Sequence, residues 1–213
     1  MNTRRSFFSR LGFAVAALGT TAAAQAPDTS SAKTSGDRWQ PARDAKDDWF
    51  DQIPGKHRLF FDTLTDGGLR EARGFANNYF DGSKSGYGLD AGDLAVVVCL
   101  RHSATPFGFT DPFWAKYGPI IAESLKLADP KQATNPHRTQ LEALQKRGVH
   151  FAICDMASHR YAGQIARKVE GGNADAIYKE MAASVIGGGQ FVPAGIIAVN
   201  RAQERGYSIA YTG

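Results

Sequence analysis

The sequence predicts an α/β fold, a three-layer α/β/α domain built on a mostly parallel five-stranded sheet. Three observations carry this. From His57 onward, short apolar runs alternate with stretches whose apolar residues recur at three and four. The run Leu94-Ala95-Val96-Val97-Val98-Cys99 is nearly continuous in apolar residues, as in a strand buried on both faces of a parallel sheet. The runs are separated by helix-length segments and not by tight turns, the spacing of βαβ units.

His57-Arg58-Leu59-Phe60-Phe61-Asp62 reads as the first strand. Leu69, Ala72, Phe75, Ala76, Tyr79 and Phe80 then form the stripe of an amphipathic helix. Asp93 to Leu100 is the second strand. Phe113, Trp114, Tyr117, Ile120, Ile121 and Leu125 make the next helical stripe. Asn135-Pro136 opens a further helix, ending at Arg147-Gly148 with the glycine as C-cap. Val149 to Cys154 is the third strand, followed by helices over about Met156–Val169 and Asn173–Val185. Gln190-Phe191-Val192 is a short fourth strand. Ile196, Val199, Asn200 and Gln203 share one helix face that stops at Arg205-Gly206, and Tyr207 to Tyr211 closes the sheet. Right-handed crossovers would set every loop that follows a strand along one edge.

Residues 1–26 stand apart. Met1-Asn2-Thr3-Arg4-Arg5-Ser6-Phe7-Phe8, the apolar run Leu11 to Leu18 and the small residues up to Ala26 have the layout of an export signal. The Arg-Arg pair before Ser-Phe-Phe points to the twin-arginine route, an ordinary secretory signal being the alternative. The apolar run is shorter than the roughly 20 residues of a spanning helix. A periplasmic location is therefore expected, with cleavage after Ala24 and membrane contact only through an uncleaved signal. Residues 27–55, rich in Ser, Asp, Lys and Arg, read as a linker or surface arm. Trp39 and the pair Trp49-Phe50 are expected to anchor that arm on the domain, residues 56–213, or on a neighbouring subunit.

Three of the 25 basic residues and none of the 21 acidic ones lie in the signal, so the remainder carries a net charge of +1 against +4 for the whole chain. No basic run interleaved with aromatics is present, and nucleic-acid binding is not expected. Two cysteines, Cys99 and Cys154, exclude a disulfide-stapled scaffold.

Ligands of open α/β sheets bind beyond the carboxyl ends of the strands. Those ends carry Asp62-Thr63, then Arg101-His102-Ser103-Ala104-Thr105-Pro106-Phe107, then Cys154-Asp155-Met156, then Pro193-Ala194-Gly195. Cys154 closes a strand directly before a helix, where the N-terminal partial charge favours a thiolate. Asp155 is suited to cap that helix, and Arg101, His102 or Arg160 could add positive charge. Ser103, Thr105, Pro193 and Gly195 are candidate ligand contacts. A second reading of Cys154 is a small hydrophobe that merely closes the strand, the role expected of Cys99. His102 has its own bland alternative, shaping its loop through a backbone hydrogen bond. No CxxC or HxxxH spacing supports a metal site at His102, Cys154 and Asp155, and none is expected. Gly187-Gly188-Gly189 precedes a strand instead of linking strand to helix, so no nucleotide or other cofactor is expected. Ser103 lacks the G-x-S-x-G elbow.

The chain resembles the DsrE/DsrF-like sulfur-relay family over about His57 to Thr212. The resemblance rests on Ala95-Val96-Val97-Val98-Cys99-Leu100-Arg101-His102, on Gly148-Val149-His150-Phe151-Ala152-Ile153-Cys154-Asp155-Met156-Ala157, and on Val192-Pro193-Ala194-Gly195 through Gln203-Glu204-Arg205-Gly206-Tyr207. It implies a three-layer fold, frequent homo-oligomers and a sulfur-carrying cysteine at Cys154. The function so implied is a sulfur carrier or sulfurtransferase-type protein with a cysteine persulfide, exchanging with a thiol or sulfane-sulfur donor or acceptor. Two other readings stand beside it: a non-catalytic periplasmic module for small-molecule binding or assembly, and a Cys-His hydrolase.

Overall fold

Strands β1 (His57–Thr63), β2 (Leu94–Leu100), β3 (Val149–Cys154), β4 (Gly189–Val192) and β5 (Ser208–Thr212) pair in parallel in the order β4-β3-β2-β1-β5. The computed structural model describes residues 40–213, and its compact unit runs from Pro41 to Gly213. The expected signal segment, its cleavage site and Trp39 lie outside the described residues. The α/β/α architecture is as the alternation predicts, and the sheet is parallel throughout.

The chain steps from β1 to β4 in one direction, then crosses back to lay β5 against β1. Right-handed crossovers in one direction put their helices on one face, and the returning crossover puts its helix on the other. Accordingly α2 (Asp66–Tyr87), α3 (Asp111–Leu125), α4 (Arg138–Lys146), α5 (Asp155–Ala166) and α6 (Ala174–Ala183) pack over Phe61, Val96, Val98, Phe151 and Ile153. The opposite face, with Phe60, Ala95, Val97, Cys99 and Ala152, receives α7 (Gly195–Glu204) and the single turn α1 (Trp49–Gln52). Apart from Phe60 its strand side chains are small, and α7 meets them with Ala198 and Ala202, so helix and sheet approach closely.

One helix cannot cover five strands, and the segment before β1 supplies the rest. Phe50 is fully buried against Phe60 and Tyr207, with ring centroids 6.2 and 5.6 Å away. Its carbonyl accepts hydrogen bonds from the Tyr207 hydroxyl (2.9 Å) and from Arg58 (3.3 Å). Arg205, at the end of α7, is buried and lies 3.3 Å from the Asp51 carboxylate. The arm thus docks through Phe50 as the sequence suggests, and the compact unit extends upstream of residue 56.

Local ends follow the sequence with small shifts. The Thr65 hydroxyl caps α2 at the Gly68 amide, and Gly88 ends it in the left-handed region at φ 71°. The helix expected from Asn135 begins at Arg138 instead. Asn135 donates its side-chain amide to the carbonyls of Phe107 (2.7 Å) and Phe109 (2.9 Å), which holds it out of the helix. The stretch after β2 is a 3-10 segment, His102–Gly108, buried from Ala104 onward.

Phe50→Ala should lower stability by about 3–5 kcal/mol, as removal of a fully buried phenylalanine does elsewhere. A shift of the urea midpoint comparable to that of Phe60→Ala would establish the arm as core. A near-neutral result would show that it only rests on the surface.

Candidate functional site

Where two neighbouring strands send their following helices to opposite faces, a crevice opens at their carboxyl ends. Here that pair is β3 and β4: α5 follows β3 on one face and α7 follows β4 on the other. Cys154 and Val192, the last residues of the two strands, are register partners. Met156 N–H reaches across to the Pro193 carbonyl at 3.4 Å.

A cavity of about 360 Å³ occupies this crevice. Arg101, His102 and Cys154 line it from the strand ends, Met156, Ala157 and Arg160 from α5, and Ala194, Gly195 and Ile196 from the start of α7. Neither α5 nor α7 has a side-chain cap. Their first-turn residues line the cavity, and apart from the Met156 amide, which Pro193 takes, the amides there lack intrahelical partners. A more enclosed cavity of about 220 Å³ lies by the Asp111–Arg138 pair, but neither cysteine nor histidine lines it.

Cys154 is itself the N-cap residue of α5, 7% exposed, with its carbonyl held by the Ser158 hydroxyl at 2.9 Å. Asp155, expected as the cap, is the first helical residue. Its carboxylate accepts from the Tyr178 hydroxyl at 2.6 Å and lies 3.7 Å from His159, away from the cavity. Burial and that carboxylate push the Tyr178 phenol up to about 12.

Asp62 and Arg101 reach the same end of the sheet as Cys154. The guanidinium grips Asp62 through Nε (2.5 Å) and Nη2 (2.9 Å), a bidentate pair on a carboxylate that is largely buried. The Arg101 stem lies so close to α7 that a Cβ on Gly195 would come within 2.5 Å of it. Arg101 is therefore a neutralised wall of the site. Arg160 is exposed, donates to the His102 carbonyl at 3.3 Å and has no carboxylate partner among the described residues. His102 sits at φ 56°, a region non-glycine residues seldom occupy, with its ring exposed and Nδ1 3.0 Å from the Ser103 hydroxyl.

Of the sequence candidates, Cys154, His102, Arg101 and Gly195 line the cavity, whereas Asp155, Ser103, Thr105 and Pro193 do not. Thr105 is fully buried and its hydroxyl donates to the Leu100 carbonyl at 3.3 Å, fastening the 3-10 segment to β2. Asp62 was visible as a strand end, but only its side-chain contacts show that it faces Arg101. Met156 and Ile196 form an exposed apolar rim.

Cys99 faces α7 within the sheet, and burial drives its thiol well above the ordinary range, with Asp62 adding to the effect. Its register partner is Ala152, two residues before Cys154. One strand spacing and two residue rises put the two cysteine Cα atoms about 8 Å apart. That exceeds the roughly 4.4–6.8 Å of a disulfide, and both thiols are free. Among the described residues no group of three or more His, Cys, Asp or Glu side chains is placed to hold a metal ion.

No protein-family model, curated protein or solved structure matches the chain.

Removing the Asp62 charge should unmask that of Arg101. Asp62→Asn is expected to raise the alkylation rate of Cys154 near neutral pH several-fold, while lowering stability by about 3 kcal/mol through loss of a largely buried pair. Timed bromobimane labelling followed by peptide mapping measures the first effect. An unchanged rate in a folded variant would mean that the Arg101 charge does not reach the sulfur.

Proposed function

We propose that the protein is a DsrE/DsrF-like sulfur carrier, exported to the periplasm, in which Cys154 holds sulfane sulfur as a persulfide. The observation that carries this reading is the position of Cys154: a nearly buried thiol at the floor of the crevice between β3 and β4, walled by two uncapped helix starts and by Arg160. Export rests on the Arg4-Arg5-Ser6-Phe7-Phe8 pattern.

The chemistry needs no cofactor. The Cys154 thiolate attacks the outer sulfur of a donor persulfide, polysulfide or thiosulfate, forming the Sγ–S bond as the donor S–S bond breaks and the donor leaves as a thiolate, a shortened polysulfide anion or sulfite respectively. Sulfur passes on when an acceptor thiolate attacks the terminal sulfur, which returns Cys154 as thiolate with no net oxidation. The anionic terminal sulfur would lie among the first-turn amides of α5 and α7, with Arg160 as the nearby cation. Arg101 shapes the wall, and His102 stands at the mouth.

A second reading, a binding module for a small anion, draws on the same amides and Arg160, which can hold an anion without thiol chemistry. The exposed Met156 and Ile196 at the rim suit association with another protein or a second copy.

Intact-mass spectrometry after exposure to polysulfide or thiosulfate separates the readings. The carrier gains one sulfur atom, reversibly with reductant, in the wild type and in Cys99→Ser but not in Cys154→Ser. Arg160→Gln should slow loading several-fold without abolishing it. Absence of an adduct, with Cys154→Ser retaining biological function, would leave the binding module.

A further inference from the structure

His137 lies outside the cavity and has no part in the chemistry above. It is 3% exposed, and both ring nitrogens are engaged. Arg73 Nη1 lies 2.5 Å from Nδ1, and a guanidinium can only donate, so Nδ1 accepts and carries no proton. Nε2 then bears the hydrogen and donates to Asp66 Oδ1 at 2.5 Å. The pattern fits neutral imidazole alone, since protonation of Nδ1 would set two donors and two positive charges against each other.

The ring also holds structure in place. Its edge packs on Phe107 with centroids 4.6 Å apart, and Phe107 stacks on Trp114 at 5.7 Å. The His137 amide donates to Asn135 Oδ1, and Asn135 clamps the Phe107 and Phe109 carbonyls. His137 therefore fastens three things together: α2 through Asp66 and Arg73, the connection 126–137, and the buried end of the 3-10 segment His102–Gly108. The other end of that segment carries His102, at the mouth of the Cys154 cavity.

We propose that His137 is a pH-sensitive latch, whose protonation at Nδ1 breaks the Arg73 hydrogen bond and loosens both the 126–137 connection and the 3-10 segment. The charged groups facing the ring are Asp66, Arg70 and Arg73 of α2. Arg138, the next residue, is paired with Asp111 of α3 at 3.0 Å, and the facing end of the 3-10 segment contributes only Phe107. Burial lowers the affinity of His137 for a proton and Arg73 lowers it further, against an opposing effect of Asp66. A histidine held neutral by the fold stabilises it fully above its unfolded pKa of about 6.5, and that contribution is lost as pH falls toward the lower folded value. Asp66, whose carboxyl is held below its ordinary range by Arg70 and His137 despite burial, stays ionised through this window. The proposal is independent of the role given to Cys154.

Two measurements on the full chain test the latch. Hydrogen exchange by mass spectrometry compares wild type with His137→Gln at the same pH, which removes the intrinsic pH effect on exchange. At pH 7.5 the two should match, whereas at pH 5 the wild type should exchange several-fold faster over 102–109 and 126–137 only. Equal exchange at pH 5 would overturn the proposal. If His137→Gln does not fold, proton NMR titration of the histidines in wild type and Arg73→Met decides. Burial also lowers His150, which lies in β3 away from Arg73, so two histidines should titrate below 6.5 in the wild type and one of them alone should move upward in Arg73→Met. No low-titrating histidine that moves in the variant would equally overturn it.

Discussion

The bidentate contact between Arg101 and Asp62 fixes the geometry on which the site depends. It joins the ends of β1 and β2 across the face that α7 covers. The arginine stem then becomes the surface on which the first turn of α7 rests, close enough that only glycine fits at position 195. Because the pair is charge-balanced, it can sit beside a cysteine without imposing a net field. Charge at the mouth of the crevice falls instead to Arg160 and to two helix starts. A partly buried ion pair is a costly way to gain stability alone. Its value here is placement, since it sets the distance between helix and sheet at the point where the chain reverses direction.

The two faces of the sheet are built on different terms. Five helices bury large aliphatic and aromatic side chains on one, with Phe107, Trp114 and Phe151 at its centre. The other is thin, with small residues under α7 and with Phe50 and Ile53 of the arm filling what the helix leaves. This asymmetry follows from strand order alone. Four strands laid down in one direction put their connections on one side, and a single return leaves the second side short of cover. The thin face is also where Cys99, Asp62 and Cys154 arrive, so chemistry-bearing residues lie where packing is least deep.

Much of this was legible in the sequence, for identifiable reasons. The unbroken run Leu94–Leu100 could only be a strand covered on both sides, and Val149–Cys154 had the same signature. Period and punctuation therefore placed every strand within a residue or two. The site was legible as a set of strand ends, which brought Cys154, His102, Arg101 and Gly195 together correctly. Position along the chain does not reveal what a side chain turns toward, however. Asp155 looked like a cap, but the hydroxyl of Tyr178, 23 residues later, draws its carboxylate away. Thr105 and Ser103 looked like cleft residues, but a 3-10 turn carries one into the core and leaves the other beside His102. The arm was legible only in part: its composition is that of a linker, Phe50 stood out as an anchor, and Ile53, which is buried beside it, did not.

The route by which β5 reaches its place bears on when the molecule can be complete. α7 and β5 come last among the described elements, yet β5 pairs with the first strand, and Tyr207 and Arg205 hold the segment around Phe50. The earliest part of the described chain meets Phe60 and Arg58 early but lacks Tyr207 and Arg205 until the latest part has been made. A nascent chain stopped short of α7 could pair β1 to β4 and bury one face, but it would present Ala95, Val97 and Cys99 to water and have no crevice wall. Closure therefore waits for α7 and β5, which complete the crevice wall and the mooring of the arm together.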